Sequence, residues 1–410
     1  MRHWAVLVGC CLLLGFAFSI PMLSISVFIS PMVSFFNCSV TEISIYFTFA
    51  ASAAVLSSLF GARILKRSMR ATVIVASTVM GLGYIALASF PAVPMVWVAG
   101  VIAGLCFPLC TTVLAPIAIN NWFAQRQGTY VGIVFAMIGV FGMILSPIFT
   151  ALIASLGWQA AMIIAGVLVI AISVFVALFL LREDPESQGL LPMGAEEIAH
   201  EEKEVFTAAP AQAKSSFVRS PAFVLCAVVG LIGGFFGDFN SQLNTVVQKS
   251  GFDAVTAGFA LSCASAGLMV GKILMGWVKD RKGSTFAIAM GCIFGVVAFA
   301  TVVAGVLFTS TPLLYVGCFL TGFCTCLGTL TPALMASETF EPQVYANAVA
   351  YITAFCNLGM AIGIPFYTLT FDLTGSFMPI LFVCIIVPVI TIFIAATAIR
   401  LGKAAQAAAK

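Results

Sequence analysis

About twelve uninterrupted apolar runs, each near twenty residues long, follow one another along this chain, near 4–30, 42–61, 71–90, 94–119, 129–153, 159–181, 221–246, 254–277, 284–308, 312–336, 345–369 and 377–400. A hydrocarbon layer of roughly 30 Å is crossed by roughly 20 helical residues, so runs of this length can span it. Inside that layer every backbone polar group must be satisfied by protein, which leaves helices or a closed barrel. The runs are continuous rather than alternating, so they read as helices. Composition agrees: 62% of residues are hydrophobic and 8% charged, where a soluble domain carries roughly 25% charged. The expectation is an all-α membrane protein with twelve transmembrane helices. The first run is longer than the apolar region of a cleaved leader, and no clear small-residue cleavage site follows it. It reads as an uncleaved span.

Basic residues fall on one side if the spans alternate. Arg63, Lys66, Arg67 and Arg70 lie between spans two and three, and Arg126 follows span four. Arg182, Lys203, Lys214 and Arg219 lie between six and seven; Lys279, Arg281 and Lys282 follow span eight; Arg400, Lys403 and Lys410 follow span twelve. The opposite side has essentially only Lys249. The positive-inside rule then places both termini in the cytoplasm, in a bacterial-type inner (plasma) membrane. The net charge of +3 is a topology signal and implies no nucleic-acid partner.

The stretch from Arg182 to Arg219 breaks the apolar pattern with eight acidic residues and three prolines. It reads as a solvated cytoplasmic linker with a short helix near 195–206. It divides the chain into an N-terminal six-helix bundle (1–181), the linker (182–219) and a C-terminal six-helix bundle (220–410). Gly104, Cys106, Thr111 and Pro147 match Gly322, Cys324, Thr329 and Pro365 at one constant offset, so the bundles read as pseudo-symmetric. Carriers built from parallel repeats hold their cargo near the midplane between the halves.

The run Gly276-Trp277-Val278-Lys279-Asp280-Arg281-Lys282-Gly283 closes span eight. A glycine there admits close helix approach, and the Asp and Arg make charge-assisted contacts to helix ends. Glu338 and Glu341, after span ten, are candidate partners. The pattern resembles the G-x-x-x-D-R-x-G loop of the major facilitator superfamily. A first-half copy, Gly61-Ala62-Arg63-Ile64-Leu65-Lys66-Arg67-Ser68, keeps the glycine and the basic pair but has Leu65 where the Asp belongs. The resemblance implies a conformational latch made of Gly61, Arg67, Gly276, Asp280, Arg281 and Gly283. Within the superfamily, Asn121-Trp122-Phe123-Ala124-Gln125-Arg126-Gln127-Gly128 and Arg219-Ser220-Pro221-Ala222-Phe223 resemble patterns of the oxalate–formate antiporter and monocarboxylate porter branch. That branch carries a cation at the position of Lys272. Its oxalate carriers have a second cation at the position of Phe355, and cavity aromatics where Thr325, Thr329 and Ile352 stand here. One cation and a smaller lining point to a larger monocarboxylate rather than to oxalate.

Two charges lie well inside apolar runs, Lys272 and Asp238. A charge at the centre of a spanning helix costs roughly 2.5–3.5 kcal/mol on insertion scales, so each demands a reason. Lys272 lies about 10 Å inside the cytoplasmic end, where it anchors a carboxylate or snorkels to the interface. Asp238 lies about 25 Å from that end, where it couples protons, holds a substrate ammonium, or sits at the outer interface. Asn240, Gln242, Asn244, Thr325, Thr329, Tyr351, Phe355 and Asn357 lie near these depths and are candidates for the cavity lining; they also serve as helix–helix contacts.

The expected function is secondary active transport of a small organic monocarboxylate by alternating access, as proton symport or anion exchange, by a monomer. The alternatives are a zwitterionic amino acid held by Lys272 and Asp238, efflux of amphiphilic drugs, and a receptor without transport. No enzyme is expected: His3 and His200 lie outside the spans and no nucleophile–base pair is evident. No cofactor is expected either, and no phosphate-cradling glycine loop is present. The thirteen cysteines read as small apolar packing, and Cys324 and Cys326 have no histidine nearby to complete a metal set.

Overall fold

A computed structural model describes residues 2–183, 185, 191–193, 217–237 and 239–409. It is almost wholly helical. The first six spans are α1 (Arg2–Leu13) with α2 (Ser26–Phe36), α3 (Val40–Leu65), α4 (Met69–Ser89), α5 (Val93–Cys110) with α6 (Leu114–Trp122), α7 (Gln127–Leu156) and α8 (Trp158–Phe175). The last six are α9 (Pro221–Gly237) with α10 (Phe239–Lys249), α11 (Ala254–Lys282), α12 (Ser284–Leu307), α13 (Thr311–Thr325) with α14 (Leu327–Thr339), α15 (Tyr345–Thr374) and α16 (Met378–Ala409). Among the described residues, eleven helical runs are long and apolar enough to cross a membrane. The remaining span is represented by the described stretches α9 and α10, which lie before and after residue 238. The expected helix near 195–206, together with Asp238, lies outside the described residues.

Local chemistry starts and stops the helices. Ser39 and Glu42 form a reciprocal capping box at the start of α3. Asp253 accepts from the Thr256 amide at the start of α11. Such caps satisfy amides that have no partner within the helix. Gly283 takes φ +86° between α11 and α12, a left-handed value that allows the abrupt reversal there.

Four spans depart from regular α geometry among the described residues, span six among them through a π-helical last turn at Val176–Leu180. Span one is π-helical over Leu14–Phe18 and Ile20–Ser24. Pro21 sits inside the second stretch, and its carbonyl accepts from Tyr46 Oη at 3.2 Å. Tyr46 in turn bonds Tyr84 at 2.8 Å. Ser19 Oγ donates to Ile138 O of α7 at 3.0 Å. Irregular backbone is tolerated at membrane depth because neighbouring groups satisfy it in this way. Spans four and ten break between α5 and α6 and between α13 and α14, at nearby points of the two half-chains.

Within the first half α3 packs on α5 and α4 on α8; within the second, α12 on α13 and α9 on α15. The halves meet chiefly along two long seams, α7 against α11 and α3 against α15. The basic loops gather at one end of the bundle, here called the basic end. A short piece of the linker docks there: Met193 N donates to Trp122 O at 2.9 Å, and Ala124 N donates to Met193 O at 2.9 Å. His3 Nε2 reaches Leu191 O at 3.0 Å. Residues 191–193 are therefore strapped to the first half rather than free in solvent.

Candidate functional site at the seam between the halves

Lys272, Gly276 and Asp280 lie four residues apart, so they form one stripe of α11. That stripe faces α7. Gly276 fits because it has no side chain: a Cβ there would stand 2.2 Å from Gly128 O. A Cβ on Gly132 would stand 2.4 Å from Lys272 O. The two helices thus touch through backbone, as small residues permit in membranes.

At the basic end of the stripe, Asp280 caps α7. Its Oδ1 accepts from Gly128 N at 2.8 Å, and its Oδ2 accepts from Thr129 N and Thr129 Oγ1, each at 2.6 Å. A carboxylate is well placed there, because helix-start amides are unpaired and the helix dipole is positive. Lys279 sits 3.9 Å from the same carboxylate. Glu338 goes elsewhere, taking a very short bond from Ser284 N and pairing with Lys403 at 2.9 Å. Arg281 lies over the Trp277 ring at 4.2 Å and Lys282 over Phe286 at 4.5 Å.

Lys272 closes the inner end of the stripe. It is 1% exposed and is the one charged side chain among the described residues in the buried class. Its Nζ donates to Phe135 O of α7 at 3.1 Å. No carboxylate among the described residues comes within ion-pair distance of it. An ammonium has three donors, so this one is under-used and carries no counter-charge from the described residues.

Behind Lys272, α11 meets the α13–α14 break. The Cys326 sulfur lies 3.4 Å from Leu268 O of α11 and 3.1 Å from Gly322 O of its own span, and a Cβ on Gly271 would stand 2.9 Å from that sulfur. Thr325, buried, is the residue before it, and Asn240 Nδ2 donates to Thr325 Oγ1 at 3.3 Å. Lys272, Thr325 and Asn240 are thereby linked through a short run of contacts. Thr329 bonds weakly back to Cys326 O at 3.4 Å.

Other candidates lie apart from this group. Asn357 donates to Ser58 Oγ at 3.0 Å and to Ala54 O at 3.3 Å, which makes it a clasp across the α3–α15 seam. Tyr351 and Phe355 join an aromatic group with Phe217 and Phe223 at the start of span seven. Of the expected first-half latch, Gly61 packs within its own half, where a Cβ would meet Val113 and Leu109, while Arg67 is exposed. Gln242 and Asn244 lie on α10. Sequence reasoning missed Ser58, a common helix residue, and Phe135, which acts through its carbonyl and so leaves no mark in the sequence. Gly128 was singled out only as part of a pattern.

Two helical bundles thus meet along two seams, one of them lined by glycines, with a buried charge beside it. A profile of the Major Facilitator Superfamily matches residues 7–364. The chain belongs to that superfamily, a family of transporters. The structure is similar to the proton:xylose symporter XylE bound to 6-bromo-6-deoxy-D-glucose, with TM-score 0.71 and 14% identity over 97% of this chain and 94% of that one. It is also similar to a variant of the E. coli fucose:proton symporter FucP, with TM-score 0.66 and 12% identity over 98% of this chain and 99% of that one. At these identities the likeness concerns the fold. No curated protein sequence matches the chain.

Proposed function

We propose that the protein is a monomeric secondary carrier that moves a small organic monocarboxylate by alternating access, as a proton symporter or an anion exchanger. The bundles at 1–181 and 220–410 rock about the two seams, with the basic end and both termini in the cytoplasm of a bacterial-type inner membrane. The observation that carries this reading is the ammonium of Lys272, enclosed between the halves and lacking a carboxylate among the described residues. In a site of low dielectric a carboxylate binds such a group far more strongly than in water. Desolvation offsets much of that gain and leaves the modest affinity a carrier needs for release. The resemblance to oxalate carriers puts an apolar residue, Phe355, at the position of their second cation, which favours a monocarboxylate over a dicarboxylate; Phe355 packs near Phe223 at 6.3 Å between ring centroids.

The test is uptake by proteoliposomes of radiolabelled propionate, oxalate, alanine and xylose. Propionate is expected to enter and to exchange; uptake confined to xylose or alanine overturns the reading. An imposed pH gradient tests proton coupling through Asp238. In Asp238→Asn, gradient-driven uptake should be lost while exchange persists, and an unaltered response to the gradient rejects that role.

Asp280 is proposed as the latch that holds the basic end closed. Asp280→Ala removes three hydrogen bonds to the start of α7. Loss of a cap costs about 0.5–2 kcal/mol. The closed form should lose about 2- to 30-fold in population, read as a longer mean distance between spin labels at the exposed residues Lys66 and Lys282. An unchanged distance distribution argues against the latch.

A further inference from the structure

The α3–α15 seam is tied by a side chain that belongs neither to the stripe of α11 nor to the aromatic group at the start of span seven. Asn357 Nδ2 donates to Ser58 Oγ at 3.0 Å and to Ala54 O at 3.3 Å. A carbonyl oxygen only accepts, so the nitrogen of this amide is the atom that faces α3. That nitrogen carries two hydrogens, and both are spent on the opposite half. Ser58 is fully buried and Asn357 is 4% exposed.

Depth and asymmetry set this tie apart. Ser58 lies about 10 Å along α3 from its end at Leu65, and Asn357 about 18 Å along α15 from its start at Tyr345. The bonds are therefore made well inside the spans and not among the loops. On the other seam the basic end is held by the Asp280 carboxylate against the start of α7. The α3–α15 seam is built differently. Leu65, where the loop pattern would place a carboxylate, is apolar and buried, and α15 starts without a side-chain cap. An amide also suits a contact that must break. Left buried without a partner it would be costly. With the seam shut, α3 supplies its acceptors; with a cleft open between the halves, water does. An apolar side chain could serve only the shut form, because opening would return its surface to water.

We infer that Asn357 is a positioning residue for transport. It ties the α3–α15 seam in the form closed at the basic end, lets go of α3 when that end opens, and is the neutral counterpart of Asp280 on the other seam. The inference rests on the rocking of the two bundles proposed above.

The test uses the purified full-length protein in lipid nanodiscs. Spin labels at the exposed residues Arg67 and Gln343, beside the basic ends of α3 and α15, read the width of this seam. An interhelical hydrogen bond inside a membrane protein is worth about threefold in an equilibrium on average. Asn357→Ala removes two such bonds, so the wide form should gain about eightfold in population. Ser58→Ala removes one and should gain about threefold. The double variant should match Asn357→Ala alone, because the bond to Ser58 is already gone; effects that multiply in full overturn a direct clasp. Asp280→Ala, read at Lys66 and Lys282, separates this inference from the one beneath it. If Asp280→Ala lengthens its distance while Asn357→Ala and Ser58→Ala leave theirs unchanged, the halves rock and Asn357 is not the tie. Should Asn357→Ala fail to fold, Ser58→Ala decides alone, and an unchanged distance there overturns the clasp. If none of the three variants moves any distance, the rocking itself falls first and this inference with it.

Discussion

Lys272→Ala should reduce carboxylate uptake about 10- to 150-fold while the protein still inserts, and Lys272→Met should melt at the same or a higher temperature than the unaltered protein. The first effect follows from the bond that is lost. A hydrogen bond to a charged group is worth about 1.5–3 kcal/mol, which converts to that range of affinity. The second follows from what the ammonium costs when no cargo is present. It is buried with a single carbonyl partner. Replacing a poorly compensated buried charge by an apolar side chain of similar volume is often neutral or stabilising. Phe135 O loses one acceptor contact, but it lies within α7, where it is already bonded to its own helix. Function and stability should thus move in opposite directions, as at sites where binding needs strain. A Lys272→Met protein that melts several degrees lower and still takes up carboxylate would mark the residue as a structural bolt between the halves.

That opposition also explains which residues were legible in the sequence. Lys272 stood out because a charge in an apolar run has few structural excuses, and the fold was legible because span length and loop charge are one-dimensional signals. Asp280 was legible as part of a loop pattern, but not its partner. The amides of Gly128 and Thr129 are backbone groups, and backbone groups carry no identity. The same holds for the Phe135 carbonyl. Asn357 was legible as polar and buried, yet a side chain that lines a cavity and one that clasps Ser58 across a seam look alike in sequence. Tyr351 and Phe355 sit at a cavity-like depth, but the start of span seven draws them into its aromatic group. The π-helical course of span one was foreshadowed only by Pro21, because the groups that satisfy it come from α3 and α7.

Gly132→Val should stop transport while leaving the protein folded, because it wedges the seam at one point. A Cβ at Gly132 would lie 2.4 Å from the Lys272 carbonyl oxygen, a backbone atom that no rotamer change can move. Ordinary contact begins near 3.4 Å, so α7 and α11 must part by about 1 Å at that level. Asp280 lies two turns further along the same stripe, and its bonds to Gly128 N and Thr129 N, now 2.8 and 2.6 Å, would stretch past useful length. The Lys272 bond to Phe135 O, 3.1 Å, lies one turn the other way and stretches with them. Packed seams have discrete arrangements rather than a continuous range, so a wedge of this size should bias the carrier away from the form closed at the basic end. Uptake should fall more than tenfold, and spin labels at Lys66 and Lys282 should move apart. Gly139 supplies the control. It lies on the same face of α7, but a Cβ there would meet Ser265 O at 3.6 Å and Met269 Cβ at 3.7 Å, ordinary contacts. Gly139→Ala should therefore transport normally. If Gly132→Val also transports normally with unchanged label distances, the α7–α11 seam does not close the carrier, and the gate must lie along α3 and α15, where Asn357 holds Ser58.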